Sequence, residues 1–454
     1  MKRILLLLLS YMLLWNSTIG YTGPREDYEE AHALYIAAAA SVAAYNDRIG
    51  ELASRYLEQD GWHIDHYFQP PEHSGARFLL AKKESAPGKY LYVLAIVGTE
   101  TTSDMKSNLK FDKIYFSGSN AEEFAANAGK KALSKTDPQV HRGFNQFIQA
   151  GPAAILHNSQ NAPLMFPDLL RMNPDDKLYL TGHSLGGAAA TLAGARLLSM
   201  GINPEQIKVI TFGAPAVGNA AFANKFEPIL PLTRVVIDGD PVTGVLQTLV
   251  GGYQQFGREI NWSMPATTED PHKITSYVDS AVKNYYDKRQ QARQAGVKLS
   301  DPAAKRPASP GRVYIAPMKN NLTGSLANDF WYMREALMDE YNKTLPDCLI
   351  VDGNETGNWL EQASAAGCRW VIVPEVNGVR LKEQKNAYRI TFQQTVYNVS
   401  TGAVVDAAVF SSGTYNLTPL EAFIHTFKGV NAHQTTWLEA ENQMPLSYNI
   451  IPST

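Results

Sequence analysis

The stretch Thr181-Gly182-His183-Ser184-Leu185-Gly186-Gly187 decides the fold of this 454-residue chain. It follows an apolar run, Lys177 to Thr181, that is typical of a short buried strand, and it precedes the helix-like segment Ala188 to Leu198. A G-x-S-x-G sequence in this context predicts a sharp turn from a strand into a helix. The serine hydroxyl would then be presented at the edge of a sheet.

This turn makes Ser184 the candidate nucleophile. Gly182 and Gly186 are expected to be required, because side chains there would collide with the neighbouring strand and helix. The turn also leaves the amide of Leu185 at a helix N-terminus, where it could stabilise the oxygen that becomes negative when an ester carbonyl is attacked.

A serine needs a neutral imidazole to take its proton, and a carboxylate to orient that imidazole. The apolar run Thr233 to Ile237 is followed by Asp238-Gly239-Asp240-Pro241, and the first histidine after it is His272. Gly239 and Pro241 indicate that the chain turns beyond the strand, which favours Asp240 over Asp238 as the acid. The candidate triad is therefore Ser184, Asp240 and His272.

The surrounding pattern predicts an α/β fold. Glu26 to Glu58 is alanine-rich and helical in pattern, and β-rich runs follow at Ala76 to Lys83 and Lys89 to Val97. Apolar runs such as Gln206 to Phe212 then alternate with helix-like segments. Continuous apolar strands that alternate with helices imply a mostly parallel sheet covered on both faces.

A polar stretch, Lys288 to Pro310, has prolines and charges that cannot build a core. We interpret it as a helix tail that runs into a linker and divides the chain. We predict a first domain over 24–287, a linker over 288–310, and a second, smaller α/β domain over 311–454. In the second domain, predicted strands alternate with predicted helices. The strands are Val313 to Pro317, Cys348 to Val351 and Trp370 to Val376, and the helices are Ser325 to Asn342 and Trp359 to Ala366. A hairpin of Tyr388 to Tyr397 with Ala403 to Phe410 follows.

The first 20 residues have the pattern of a signal peptide. Lys2 and Arg3 precede a twelve-residue apolar run, Ile4 to Trp15, that is too short to span a bilayer. We expect an exported protein, secreted or periplasmic, with an uncleaved signal anchor as the alternative. In an exported chain Cys348 and Cys368 could form a disulfide, or they could be two small core residues, and both interpretations stay open.

Composition narrows the classes of partner. Lys plus Arg number 41 against 44 Asp plus Glu, so no overall positive field exists to gather nucleic acid.

The histidines have no metal-ligand spacing, and we expect neither a metal nor a cofactor. His141 and His183 are expected to pack or donate hydrogen bonds, because the chemistry needs only one base.

Five motifs resemble the class 3 lipase family over roughly Glu26 to Tyr286. They occur in the expected order, at Ile96 to Thr99, Val140 to Phe144, Gly182 to Gly187, Thr211 to Asn219, and Arg234 to Val242. The resemblance implies an α/β-hydrolase fold that acts on carboxylic esters of lipids. By position it implies Ser184 as nucleophile, Asp240 as acid, His272 as base, and the amides of Thr99 and Leu185 as the oxyanion hole. Val97 stands where the family usually has arginine.

Two segments are candidates to line the substrate site. Thr102 to Ala128 lies where the family carries its lid. Val245 to Phe256 is apolar, and either forms a wall for an acyl chain or is an ordinary core-facing segment.

The second domain is similar to small α/β domains of bacterial envelope proteins, such as the curli secretion channel and the periplasmic Tol-Pal component. This similarity implies a binding or assembly module that contacts an envelope protein partner. His425 and His433 in this domain have no nucleophile or acid cluster beside them.

The sequence therefore predicts an exported serine lipase or esterase, with lipid or ester substrates and contact with a membrane surface. The alternatives are a non-catalytic envelope protein that binds lipid or a protein, and a phospholipase, a soluble-ester esterase or an acyl transferase.

Overall fold

The structure is a computed structural model that describes residues 23–45, 47–68, 77–97, 112–148, 166–268, 270–299, 312–345, 348–351, 357–381 and 387–431. The predicted signal peptide, Thr99, residues 300–310 of the predicted linker and His433 lie outside these residues. Within the described parts of the chain, no helix has both the length and the apolar character that a membrane span requires.

A seven-stranded sheet forms the centre of the first part of the chain. Its strand order is β1-β2-β3-β6-β7-β8-β9, parallel from β3 to β9 and antiparallel at β1 and β2. β4 and β5 pair separately as a small antiparallel ribbon. In chain order these strands are β1 His63–Phe68, β2 Arg77–Ala86, β3 Lys89–Ile96, β4 Lys113–Tyr115, β5 Gln139–His141, β6 Lys177–His183, β7 Ile207–Phe212, β8 Leu232–Ile237 and β9 Arg258–Trp262.

Helices cover both faces of this sheet, which explains why its central strands are continuous apolar runs. On one face, alanines of the first helix allow it to approach the strands closely, and the last helix of this part packs beside it. The other face is covered by the helix that follows β6. The helices are α1 Pro24–Ala43, α2 Arg48–Gln59, α3 Ala121–Ala128, α4 Phe166–Met172, α5 Leu185–Ser199, α6 Ala220–Phe226 and α7 Ile274–Gln294.

A second sheet occupies the C-terminal part, with the strand order β12-β10-β13-β14-β15 and β11 paired to β13. The strands are β10 Arg312–Ile315, β11 Lys319–Asn321, β12 Cys348–Ile350, β13 Cys368–Arg380, β14 Tyr388–Asn398 and β15 Val404–Gly413. Helices α8 Phe330–Thr344 and α10 Pro419–Asn431 pack on one face, and α9 Trp359–Ala365 packs on the other. The prediction of a mostly parallel sheet with an additional α/β part is confirmed.

Helix α7 crosses the position at which the sequence placed the first domain boundary. It runs without interruption to Gln294, so residues 288–294 form a helix tail at the start of the stretch that was interpreted as a helix tail and linker. Arg289 in this segment is buried. The charge-rich composition of Lys288 to Pro310 predicts exposed side chains, so the burial of Arg289 could not be predicted from composition.

The two cysteines lie on opposite sides of β10. Cys348 of β12 is in register with Val313, and Cys368 of β13 is in register with Arg312. Two strand spacings amount to about 9 to 10 Å, whereas the Cα atoms of a disulfide lie within about 7 Å. No bond joins the two sulfurs, so the core-residue interpretation applies.

Candidate active site

Ser184 occupies a strained turn between β6 and α5. Its φ of 57° and ψ of −125° make it the only non-glycine residue with positive φ among the described residues. Its amide donates to the carbonyl oxygen of Phe212 on β7 at 2.9 Å, which fixes the turn to the neighbouring strand. Such strain costs roughly 1–3 kcal/mol and persists where the surrounding structure imposes it.

Gly182 lets the strand and the helix of this turn come together. A Cβ atom at Gly182 would lie 2.4 Å from the carbonyl carbon of Gly186 and 2.7 Å from the carbonyl oxygen of Ile96. Both contacts are with backbone, which cannot move aside as a flexible side chain could. A side chain at Gly182 would therefore collide with the backbone of α5 and of β3.

Ser184, His272 and Asp240 form a continuous hydrogen-bonded chain. The Ser184 hydroxyl lies 3.0 Å from His272 Nε2, and His272 Nδ1 lies 2.9 Å from both carboxylate oxygens of Asp240. Because a carboxylate only accepts, Nδ1 carries the proton and Nε2 is left to accept from the serine. This is the arrangement in which an imidazole can act as a general base.

Asp240 is held by donors on each side. The Val242 amide donates to Oδ1 at 2.9 Å, and the Tyr277 hydroxyl donates to Oδ2 at 2.6 Å. The carboxylate side chain is fully buried, and burial, followed by the charge of Asp240, raises the pKa of Tyr277 well above its ordinary value. Asp238 is exposed on the turn before it, at which Gly239 has a φ of 85°.

His183 supports the backbone of His272. Its Nε2 donates to the His272 carbonyl oxygen at 2.6 Å, and the Tyr45 hydroxyl lies 3.3 Å from its Nδ1. Burial, and then the neighbouring His272, lowers the pKa of His183 to about 3. The ring is therefore neutral at physiological pH, which agrees with the expected hydrogen-bonding role.

His141 packs against aromatic side chains. Its ring stacks on Phe144 at 4.1 Å between centroids, and its Nδ1 accepts from the Phe144 amide at 3.3 Å. Burial lowers the pKa of His141 to about 4. In the described parts of the chain, no group of three or more His, Cys, Asp or Glu side chains is arranged to hold a metal ion.

The described residues include half of the expected oxyanion hole. Leu185 is the first residue of α5, so its amide lies at the N-terminus of a fifteen-residue helix. Thr99 and residues 102–111, the first part of the expected lid, lie outside the described residues. Within Val245 to Phe256, the side chains of Leu246, Tyr253 and Phe256 are buried in the main core, which favours the core-facing interpretation.

Two features of the site were not predicted from the sequence. Tyr277 lies within α7, and nothing in its local pattern indicates that its hydroxyl reaches Asp240. Gly213 has a φ of 58°, and a Cβ there would lie 2.6 Å from Asp240 Oδ2 and 2.9 Å from the Tyr277 oxygen. Two sequence signals could have singled it out, namely its place directly after an apolar strand and its place in the motif Thr211 to Asn219.

A mostly parallel sheet with a serine in a strand-to-helix turn, followed in chain order by a carboxylate and a histidine, defines the class of α/β-hydrolases. Residues 93–249 match the sequence model of the class 3 lipase family. The resemblance that the five motifs indicated is therefore confirmed over that segment.

Curated relatives match over parts of the chain. A lipase of Caenorhabditis elegans is 48% identical over 67 residues, which are 14% of this chain and 19% of the relative. A secreted mono- and diacylglycerol lipase of Fusarium solani is 39% identical over 87 residues, 19% of this chain and 25% of the relative. A phospholipase A1-II of rice is 29% identical over 169 residues, 35% of this chain and 40% of the relative. The chain thus spans less than half the length of these relatives.

Among solved structures, the triacylglyceride lipase of Rhizomucor miehei is similar to this chain at 20% sequence identity. The match has a TM-score of 0.40 and covers 51% of this chain and 80% of that lipase.

Proposed function

We propose that this protein is a serine hydrolase that cleaves carboxylic ester bonds of lipids. The observation that carries the proposal is the hydrogen-bonded chain from Ser184 through His272 to Asp240, built on a strained turn at the start of α5. A buried serine, histidine and aspartate in this order supply a nucleophile, its base and the group that orients the base.

In the proposed reaction, Ser184 Oγ attacks the ester carbonyl carbon while its proton passes to His272 Nε2. The Leu185 amide donates to the oxyanion of the tetrahedral intermediate, together with the amide of Thr99 that the family resemblance implies. His272 then protonates the leaving alcohol, which departs and leaves an acyl-serine. A water molecule then attacks the carbonyl carbon of the acyl-serine while His272 takes its proton. His272 returns the proton to Ser184 Oγ as the ester bond to the serine breaks, and the carboxylic acid is released.

The lipid character of the substrate rests on the family match and on the names of the relatives, which include mono- and diacylglycerol lipases and phospholipases. We propose an acylglycerol or a similar lipid ester. Export rests on the pattern of residues 1–20, and a relative from Fusarium is itself named as secreted. We further propose that 311–454 is a binding or assembly module of an exported protein.

A fluorophosphonate probe tests the catalytic proposal, because only an activated serine reacts with it. We expect the parent chain to be labelled at Ser184 and to hydrolyse short-chain esters. Ser184→Ala should abolish labelling and lower kcat by at least about a thousandfold, the scale of loss for a triad member. A folded Ser184→Ala variant that keeps a tenth of the parent activity would exclude the assignment. An unlabelled, inactive parent would favour a protein that only binds lipid or a partner.

A further inference from the structure

Helix α7 belongs to the cores of both parts of the molecule. Tyr277 and Ala281 lie in the apolar cluster that joins α1 to the first sheet. One turn along the same helix, Val282 and Tyr286 lie in the apolar cluster that joins α8 and α10 to the second sheet. Helix α7, whose Tyr277 donates a hydrogen bond to Asp240, is therefore packed between the two parts.

A buried ion cluster fixes α7 to the C-terminal part. The Lys283 ammonium lies 2.7 Å from Asp279 Oδ2 on its own helix and 2.7 Å from Asp329 Oδ1, the residue before α8. All three side chains are at least four-fifths buried. Burial lowers the pKa of Lys283 and the two carboxylates raise it, with a net shift upward, so the amine stays charged.

A second ion cluster lies further along α7 and repeats this connection. Arg289 donates to both carboxylate oxygens of Asp339 at 2.6 and 2.7 Å, and to Glu335 at 3.0 Å. Both acids are on α8. The two clusters together fix the axial position of α7 relative to α8.

The first cluster lies close to the triad. Lys283 follows Tyr277 by six residues, which is about 9 Å along a helix axis. Tyr277 donates to Asp240, and Asp240 accepts from the ring of His272. A shift of α7 by a few tenths of an ångström would therefore lengthen a 2.6 Å hydrogen bond to the acid.

We propose that Lys283 is a positioning residue for the hydrolytic site. Held by Asp329 of the C-terminal part, it fixes α7 and, through Tyr277, the orientation of Asp240 and His272. Without its ammonium group, the carboxylates of Asp279 and Asp329 are two buried like charges that face each other and push α7 away from α8. This role rests on the proposed function, since it needs a reactive Ser184 to act upon.

The test measures the second-order rate of fluorophosphonate labelling at Ser184 in the full chain, with kcat and KM on a soluble short-chain ester. The variants are Lys283→Met, Tyr277→Phe and the double variant, each measured well below its own Tm. Lys288→Met is the matched control, because Lys288 lies on the same helix and its ion partner is Asp27 of α1, within the first part.

We expect each single variant to lower the labelling rate and kcat on the order of tenfold, with KM nearly unchanged. The double variant should be no slower than Tyr277→Phe alone by more than about twofold, because Lys283 acts through Tyr277. Lys288→Met should label at the parent rate. Independent effects that multiply in the double variant would show that Lys283 only stabilises the fold, and would overturn the proposal.

Asp329→Asn keeps the test decisive where Lys283→Met fails to fold. It preserves shape and leaves Lys283 paired with Asp279, and removes only the charge from the C-terminal side. We expect labelling to slow several-fold. If the parent chain is labelled and the folded Asp329→Asn variant is labelled at the same rate, the positioning role is overturned and the proposed function is left intact. An unlabelled parent overturns both.

Discussion

Gly213 lies against the acid of the candidate triad, so that a methyl group on its Cα would stand 2.6 Å from Asp240 Oδ2. Its amide donates to the Val235 carbonyl oxygen at 3.0 Å, which prevents the backbone from moving away easily. A glycine is therefore needed here both for its positive φ and for the space beside the carboxylate.

Gly213→Ala should lower kcat/KM by about a hundredfold, because displacing a reacting group by about 1 Å has effects of that size. Gly201→Ala is the matched control, since Gly201 has a φ of 84° and nothing within 4 Å of its added methyl group. Both variants place an alanine at a positive φ. Steady-state ester hydrolysis compares them, and equal losses would mean that strain alone, and not contact with Asp240, explains the effect.

Asp240→Asn and Asp238→Asn separate the two carboxylates that follow β8. Asparagine at 240 favours the wrong imidazole tautomer, and we expect kcat to fall on the order of 10⁴, as in a measured triad. Asp238 is exposed, so its substitution should cost less than about tenfold. Parallel kinetics with circular dichroism provide the measurement, and the reverse order of effects would assign the acid to Asp238.

Glu421 makes the stability of the protein depend on pH. Burial, with a contribution from Asp279, raises the pKa of Glu421 to about 8, although the Thr418 amide donates to its carboxylate. The folded state favours the protonated acid. The contribution of Glu421 to the free energy of unfolding is therefore fully present below the ordinary pKa of about 4.3, and it is lost as pH rises towards 8.

Glu421→Gln should therefore raise Tm relative to the parent at pH 8.5 and leave it nearly unchanged at pH 5. Glu361→Gln is the control, because Glu361 occupies the same third position of its helix and is exposed. Thermal unfolding at the two pH values measures the difference. A Tm gain for Glu421→Gln that is the same at both would contradict the assignment.

A chain that ends at Lys298 should lose both stability and esterase activity. Truncation exposes Val282 and Tyr286, and it removes the acidic partners that Lys283 and Arg289 find near α8. Exposing the apolar side chains that the second core covers costs about 25 cal/mol per Å² of apolar surface, so we expect a lower Tm than that of the parent. Co-expression of 312–454 should restore activity. A truncated chain with the parent Tm would show that the first part folds independently.

The site was predictable where chemistry is local in sequence. Ser184 stands between an apolar strand and an alanine-rich helix, and Asp240 follows a strand end, so each could be placed from its neighbours. Tyr277 could not, because its role depends on a hydrogen bond between residues 37 apart in sequence. An aromatic residue in an amphipathic helix most simply predicts core packing.

The fold shows the same contrast. The central strands of both sheets are apolar or alternating runs and were placed to within a few residues. In contrast, β1 and β9 carry charged and polar side chains and gave no strand signal. The burial of Arg289 and Lys283 was also hidden, since charged residues in a helix are usually solvated. Carboxylates of the C-terminal part, 46 to 50 residues away, offset the cost of that burial, together with Asp279 on the same helix as Lys283.

The position of β10 between the two cysteines has a consequence for where the protein can mature. With the sulfurs held on opposite sides of a central strand, the chain gains no internal crosslink from an oxidising compartment. Its folding does not wait on thiol oxidation or on disulfide shuffling enzymes. A change in thiol redox conditions is therefore not expected to change the pairing of β12, β10 and β13.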